Sequence, residues 1–422
     1  MKTNISSFDY IIVGGGSAGC VLANRISANP KIKVLIIEAG GKDNWHWVKI
    51  PAGYLYCMGN PKTDWCFKTE PEIGLNGKQI NYPRGKVLGG CSSINGMIYM
   101  RGQSSDYDHW RQLGNLGWGW DDVLPYFIKS EDHYLGKNQF HGSGGEVRIE
   151  AMRLNWEILE AFRNAAQQAG IAKISDFNTG NNEGSAYYEV TQKRGVRWNA
   201  VSAYLKPIRK RTNLTILTNA HVKNIKLEGK TAVGVNYDHN GTDYYSNARH
   251  EIVLTAGSIG SPHILQLSGI GKAITHNKIG IKTHHELNGV GKNLQDHMQI
   301  RLVYKVNKAP TLNKQLNSFW GKVNIGLKYL FFKTGPLSMA PSQLGIIAKS
   351  DPFRSSANLQ YHVQPLSLDK FGGPLHDFSG ITASVCNLAP ESKGFIETVN
   401  PNHKIPPRIQ ANYLSADADK KV

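Results

Sequence analysis

The feature that most constrains this chain lies in residues 9–19, DYIIVGGGSAG, where a short β-branched apolar run ends directly in Gly14-x-Gly16-x-x-Gly19. A helical pattern follows from Cys20 to about Asn29 and is stopped by Pro30, and a second apolar run at 32–37 (IKVLII) ends at Glu38. Strand, glycine turn, helix and strand in this order predict a βαβ unit. In such a unit the first glycine makes the turn, the second lets backbone approach a pyrophosphate, and the third packs helix on strand. The pyrophosphate rests on the helix N-terminus, where free N–H groups and the positive end of the dipole meet it. Glu38 lies 19 residues past Gly19, at a strand end from which a carboxylate accepts from ribose hydroxyls. The residues therefore predict a dinucleotide site, and by themselves leave FAD and NAD both open.

At 422 residues the chain has length for two to three domains and a large core. Only 19% of residues are charged and 40% are apolar, so the chain is expected to be globular; its 44 glycines point to many tight turns or close backbone approaches. The formal net charge of +17 is spread along the chain, and the densest cluster, Lys206 to Arg211, holds four basic residues. With no basic stripe and no recognised module, nucleic-acid binding is not expected. Five cysteines (Cys20, Cys57, Cys66, Cys91, Cys386) with no CxxC pair indicate neither a disulfide framework nor a zinc site, and no metal is expected. The opening MKTNISSFDYIIVGGG lacks a long apolar segment of the signal-peptide kind, and no stretch approaches the apolar length of a membrane span. The expected location is the cytoplasm.

Residues 40–99 are rich in Gly, Pro, Asn and aromatics with little periodicity, as in segments that wrap a ligand. Residues 156–169 predict an amphipathic helix closed by Gly170. Between 214 and 256, LTIL, HVKNIKL, AVGVNY and EIVLTA alternate with turn signals; LQYHV, ITASVCNL, FIETV and PRIQANYL between 359 and 414 also read as strands.

Four segments carry a resemblance to a known family: DYIIVGGGSAGCVLANRIS followed by VLIIEAGG; Arg84 to Gly96 (RGKVLGGCSSING); Gly257 to Gly271 (GSIGSPHILQLSGIG); and Gly289 to His297 (GVGKNLQDH). In this order they resemble the glucose–methanol–choline (GMC) flavin oxidoreductases over essentially the whole chain, bacterial choline dehydrogenase-like and alcohol dehydrogenase-like members above all. The resemblance implies an α/β fold. A discontinuous Rossmann-like FAD-binding domain (1–155 and 210–300) is joined to a substrate domain (156–209 and 301–422) with a largely antiparallel sheet and helices. It implies FAD, with the adenine end on the βαβ unit. Gly14, Gly16, Ser17, Ala18, Gly19, Glu38 and Ala39 form one wall; Val87, Gly89, Gly90, Asn95 and Gly96 run along the pyrophosphate and flavin; the Val222 backbone meets the adenine. Some members attach flavin covalently through a histidine where this chain has Ile94, so the flavin is expected to be non-covalent. Cys91 stands where serine is usual, and reads as a small packing residue.

The implied activity is oxidation of a primary alcohol to an aldehyde, with hydride passing to flavin N5 while a histidine removes the hydroxyl proton. That histidine and its partner lie in segments resembling HPxGTCxMG and GNTNAP, neither of which occurs here. No catalytic residue is therefore assigned. The chain reads as a C-terminally truncated member, expected to be inactive or weakly active alone; the rivals are choline dehydrogenase proper and a flavin-binding remnant or subunit completed by a partner chain. His141, His297 and His362 fall in family segments but not at the catalytic position, and read as structural histidines. Choline-oxidising relatives carry a glutamate two residues past QDH; here Met298 and Gln299 follow His297, which favours an uncharged alcohol. The electron acceptor and the choice between oxidase and dehydrogenase stay open. Lys314 to Lys333 mixes lysines with five aromatics and reads as a helix packed on the substrate domain, with peripheral contact to the inner membrane as the alternative.

Overall fold

The computed structural model describes residues 5–369 and 373–422. Its first sheet contains β1 (Ile5–Val13), β2 (Val34–Ile37), β3 (Leu214–Leu217), β4 (Ala220–Glu228), β5 (Thr231–His239) and β6 (Thr242–Leu254), in the order β3-β2-β1-β6-β5-β4. Neighbours from β3 to β6 run parallel; β6, β5 and β4 form an antiparallel meander. Strand β2 (VLII) and the end of β1 (Ile11–Val13) are apolar throughout because both of their faces are covered. Ile12, Val34 and Ile36 pack with Cys20 and Ala23 of helix α1 (Ser17–Ile26), while Ile11, Val13, Leu35 and Ile37 pack with Val222, Val235, Tyr237 and Ile264.

A second sheet is antiparallel, in the order Gln299–Lys305, Gly380–Asn387, Leu359–Gln364, Leu344–Ala348 and Gly184–Tyr187. Helix Glu157–Gln168 lays Leu159 against its core with Trp156, Leu344, Val363 and Ala383, and Gly170 follows at φ +88°, the left-handed position that closes a helix. The architecture is the expected α/β one, with a parallel nucleotide-type sheet and a largely antiparallel second sheet.

Several boundaries differ from those the sequence suggests. Helix α1 begins at Ser17, three residues early, because Gly16 is already its N-cap; it ends at Ile26, where the Ser27 hydroxyl turns back to the Ala23 carbonyl at 2.6 Å. Strand β6 starts nine residues before EIVLTA, since pairing with β5 and then β1 holds its polar first half extended. The PRIQANYL strand stops at Gln410, and Asn412 and Leu414 take left-handed backbone. Lys314–Lys333 forms two helices, Leu312–Leu316 and Phe319–Phe332; the second buries Ile325 and Tyr329.

A buried ionic cluster joins four separate stretches of the chain. Glu131 accepts from the Arg101 guanidinium (3.1 Å), pairs with His141 Nδ1 (3.0 Å) and accepts from Gly142 N–H (2.8 Å); His141 Nε2 meets Asp176 at 2.9 Å. The His133 ring stacks on His141 at 3.8 Å and pairs with Glu189. Burial opposes charge on His141, but the bonds to Asp176 and Glu131 outweigh it and push the imidazole up to about 9. His141 is thus a satisfied structural histidine. Glu131→Ala leaves Arg101 buried and unpaired and is expected to cost about 3–5 kcal/mol in urea denaturation. The raised His141 value makes its contribution full below about pH 6.5 and lost as pH rises through about 9. Thermal melting across this window should show that fall in the native chain and not in His141→Gln.

Candidate functional site

The carboxyl ends of β1 and β6 lie side by side, and each strand leads through a glycine into a helix, α1 after β1 and α2 (Gly257–Leu267) after β6. Both helix N-caps, Gly16 and Ala256, lack a side-chain cap, so two sets of free N–H groups border one cavity of about 800 Å³. In open α/β sheets this crevice beyond the strand ends is where ligands bind.

The three motif glycines meet three different surroundings. Gly14 has φ +107°, and a Cβ there would lie 2.6 Å from the Thr255 carbonyl oxygen. A Cβ on Gly19 would lie 2.0 Å from the Gly14 carbonyl oxygen. A Cβ on Gly16 would meet nothing closer than 3.8 Å and would project toward space that a ligand can use. Ser17 and Ala18 also line the cavity.

Glu38 is buried at the end of β2, accepting from Gly15 N–H (2.8 Å) and Gly40 N–H (2.7 Å). Burial drives its carboxyl up to about 7, against the pull of those N–H groups and of Lys86. Lys86 lies over the Trp65 ring at 4.8 Å and Arg84 over Tyr82 at 4.2 Å; both basic residues line the cavity and supply positive charge beside the helix N-termini.

At another part of the wall, His221 of β4 meets Trp65 (5.1 Å) and His403 (4.6 Å). Burial, then the charge of His403 and Lys86, hold His221 down to about 3; burial holds His263 down to about 4. His263 Nδ1 pairs with Thr398 at 2.8 Å, and the ring also meets the backbone of His403. The open cradle at Gly16, the two helix N-termini and the basic pair Lys86 and Arg84 on the same lining fit a large polar nucleotide such as FAD.

Of the expected cofactor residues, Gly14, Gly16, Ser17, Ala18, Glu38, Ala39, Gly90 and Val222 line the cavity together. Gly19, Val87, Gly89, Asn95 and Gly96 stand off its wall. Val87 is buried with Val48, Cys57 and Ile94; Gly89 N–H donates to the Gly15 carbonyl at 2.7 Å; the Asn95 side chain accepts from Arg197 at 2.8 Å; Gly96 packs on the Pro341 ring. Cys91 is exposed in the cavity wall rather than packed in the core. His297 is exposed near the Leu388 carbonyl and His362 stacks on Tyr188, both away from this cavity. The sequence reading missed the Thr255–Ser261 turn, whose signal was a second strand–glycine–helix passage at EIVLTAGSIGS. It also missed Trp65, His221, His263 and His403, which only the fold brings together.

The fold and the cavity define a Rossmann-class, dinucleotide-binding protein. The chain belongs to the GMC oxidoreductase family, whose profile matches residues 8–299, and FAD is the cofactor of that family. It is 38% identical over 421 residues to an oxygen-dependent choline dehydrogenase of Photobacterium profundum, covering 99% of this chain and 73% of that protein. It is 38% identical to an alcohol dehydrogenase [acceptor] of Pseudomonas putida, covering 98% of this chain and 76% of the relative. Among solved structures, pyridoxine 4-oxidase from Mesorbium loti superposes with a TM-score of 0.88 at 29% identity, covering 98% of this chain and 78% of that one.

Two outcomes check the site. Gly16→Ala should leave urea stability of the flavin-free protein within about 0.5 kcal/mol and weaken FAD binding at least about tenfold by fluorescence titration, whereas Gly19→Ala should lower stability itself. Because the carboxyl of Glu38 is raised in the fold, the flavin-free protein should lose stability as pH rises from about 4.5 through about 7. In Glu38→Gln that part of the slope should vanish.

Proposed function

We propose that this chain holds FAD without a covalent link in the cavity beyond β1 and β6, and oxidises an uncharged primary alcohol to the aldehyde. The observation that carries the reading is the cavity's lining: two uncapped helix N-termini with Lys86 and Arg84 for the diphosphate, Glu38 for the ribose, and Trp65 with neutral histidines for an aromatic base. FAD bound there supplies hydride-accepting chemistry. The protein's residues bind and orient it: Glu38 keeps lone pairs free beyond its two backbone bonds, and Gly16 leaves room for a phosphate against the backbone. Ile94, buried beside Val87, offers no nucleophile for a covalent link.

The relatives bear the names of choline and alcohol dehydrogenases. An uncharged alcohol is favoured because Met298 and Gln299 put no carboxylate after His297, and the neighbouring Asp296 is engaged by the Tyr413 hydroxyl at 2.5 Å. None of the 422 residues lies in a segment resembling HPxGTCxMG, which carries the family's proton acceptor. A second reading, completion by a partner chain, draws support from the outer strand Gln299–Lys305, which leaves Ile300, Leu302 and Tyr304 exposed at a sheet edge.

The 422-residue polypeptide, reconstituted with FAD, is expected to release all its flavin on acid precipitation. It should reduce an artificial dye with primary alcohols about 10²–10⁴-fold more slowly than a relative that has the histidine. Flavin remaining with the washed precipitate would overturn the non-covalent link. Rapid turnover would overturn the need for that histidine, and turnover with choline alone would overturn the substrate class.

A further inference from the structure

The side of helix Phe319–Phe332 that faces away from the protein is apolar. At 3.6 residues per turn, Phe319, Trp320, Val323, Leu327, Leu330 and Phe331 fall on one continuous face, opposite Ile325 and Tyr329, which are buried against the protein. Trp320 is 76% exposed, Phe319 72% and Phe331 70%, so these rings stand in solvent rather than in a core. Lys322 and Lys328, both exposed, stand on the two borders of this face. An apolar stripe turned outward with a lysine on each border is the reverse of an ordinary surface helix, which buries its apolar stripe and wets its charges.

The charge around it selects the occupant. The helix and its flanks, residues 312–336, hold four basic residues, Lys314, Lys322, Lys328 and Lys333, and no acidic one. A partner that is apolar at its centre and negative at its margin matches this face. An anionic bilayer surface has that chemistry: aromatic rings settle at the boundary between headgroups and acyl chains, and flanking lysines remain at the phosphate level. The helix has 14 residues, and among the described residues no helix is long and apolar enough to cross a membrane, so the geometry is that of lying on the surface. A second copy of this chain is the poorer fit, because apposing two such faces also apposes two basic rims.

We propose that helix Phe319–Phe332 docks the protein on an anionic lipid surface, with Trp320, Leu327 and Phe331 inserted and Lys322 and Lys328 on the headgroups. The test is co-sedimentation of the full FAD-loaded chain with vesicles of phosphatidylcholine containing about one-third phosphatidylglycerol, beside pure phosphatidylcholine. Pelleting is expected with the anionic vesicles, weakening as salt is raised. Trp320→Ser/Phe331→Ser and Lys322→Glu/Lys328→Glu should each reduce vesicle partition at least about tenfold while keeping the flavin spectrum and melting midpoint. The two double variants keep the test readable if either one misfolds. Recovery of the native chain in the supernatant with both vesicle types overturns the proposal. So does a Trp320→Ser/Phe331→Ser variant that binds vesicles like the native chain, including one that merely turns a dimer into a monomer.

Discussion

Backbone meets backbone where β1 and β6 end, and the nucleotide cavity depends on how closely they meet. The Thr255 N–H donates to the Val13 carbonyl at 2.8 Å and the Thr255 hydroxyl to the Gly14 carbonyl at 2.7 Å, which fixes the two strand–helix turns against each other. No side chain fits at Gly14 or Gly19, so these two motif glycines are required by packing as much as by any ligand. The loop from Gly85 to Cys91 closes on the same spot, with Gly90 lying directly on Gly16. Three stretches far apart in sequence thereby present bare backbone to one space.

Glu38 extends this arrangement electrically. Its two oxygens bridge the N–H groups of Gly15 and Gly40, tying the end of β2 to the first glycine turn. Burial this deep favours the protonated form more than those two bonds and Lys86 favour the carboxylate, which is why its affinity for a proton is raised. The histidines elsewhere in the lining are pushed the other way, toward the neutral ring. The basic groups on the lining besides the histidines are Arg84, Lys86 and Lys404, the last of them paired with Asp238.

The first βαβ unit was legible because its period, its glycines and its acid are local. The meander was legible for the same reason, although β6 proved longer than its apolar half: pairing with β5 up to Asn247 and with β1 from Tyr245 on holds its first half extended, and no residue in that stretch announces it. The GMC segments pointed to FAD, and eight of the thirteen expected cofactor residues do line one cavity. What was not legible is long-range. Trp65, His221, His263 and His403 have nothing in common in sequence until four separate elements converge. The Arg101–Glu131–His141–Asp176 cluster likewise has no local signal, since a buried ion pair is defined by its partners rather than by its neighbours in the chain.

The strand order of the first sheet also sets a schedule for folding. Strand β1 pairs with β2 on one edge within 25 residues of its end, but its other partner, β6, ends at Leu254. At ribosomal speeds of about 5–20 residues per second, the emerging chain spends roughly 10–50 s with the second edge of β1 open. During that interval a strand of ISSFDYIIV offers unpaired N–H and C=O groups to whatever is near. A newly made chain of this topology is therefore most dependent on holding chaperones early in its synthesis, long before its cofactor site exists.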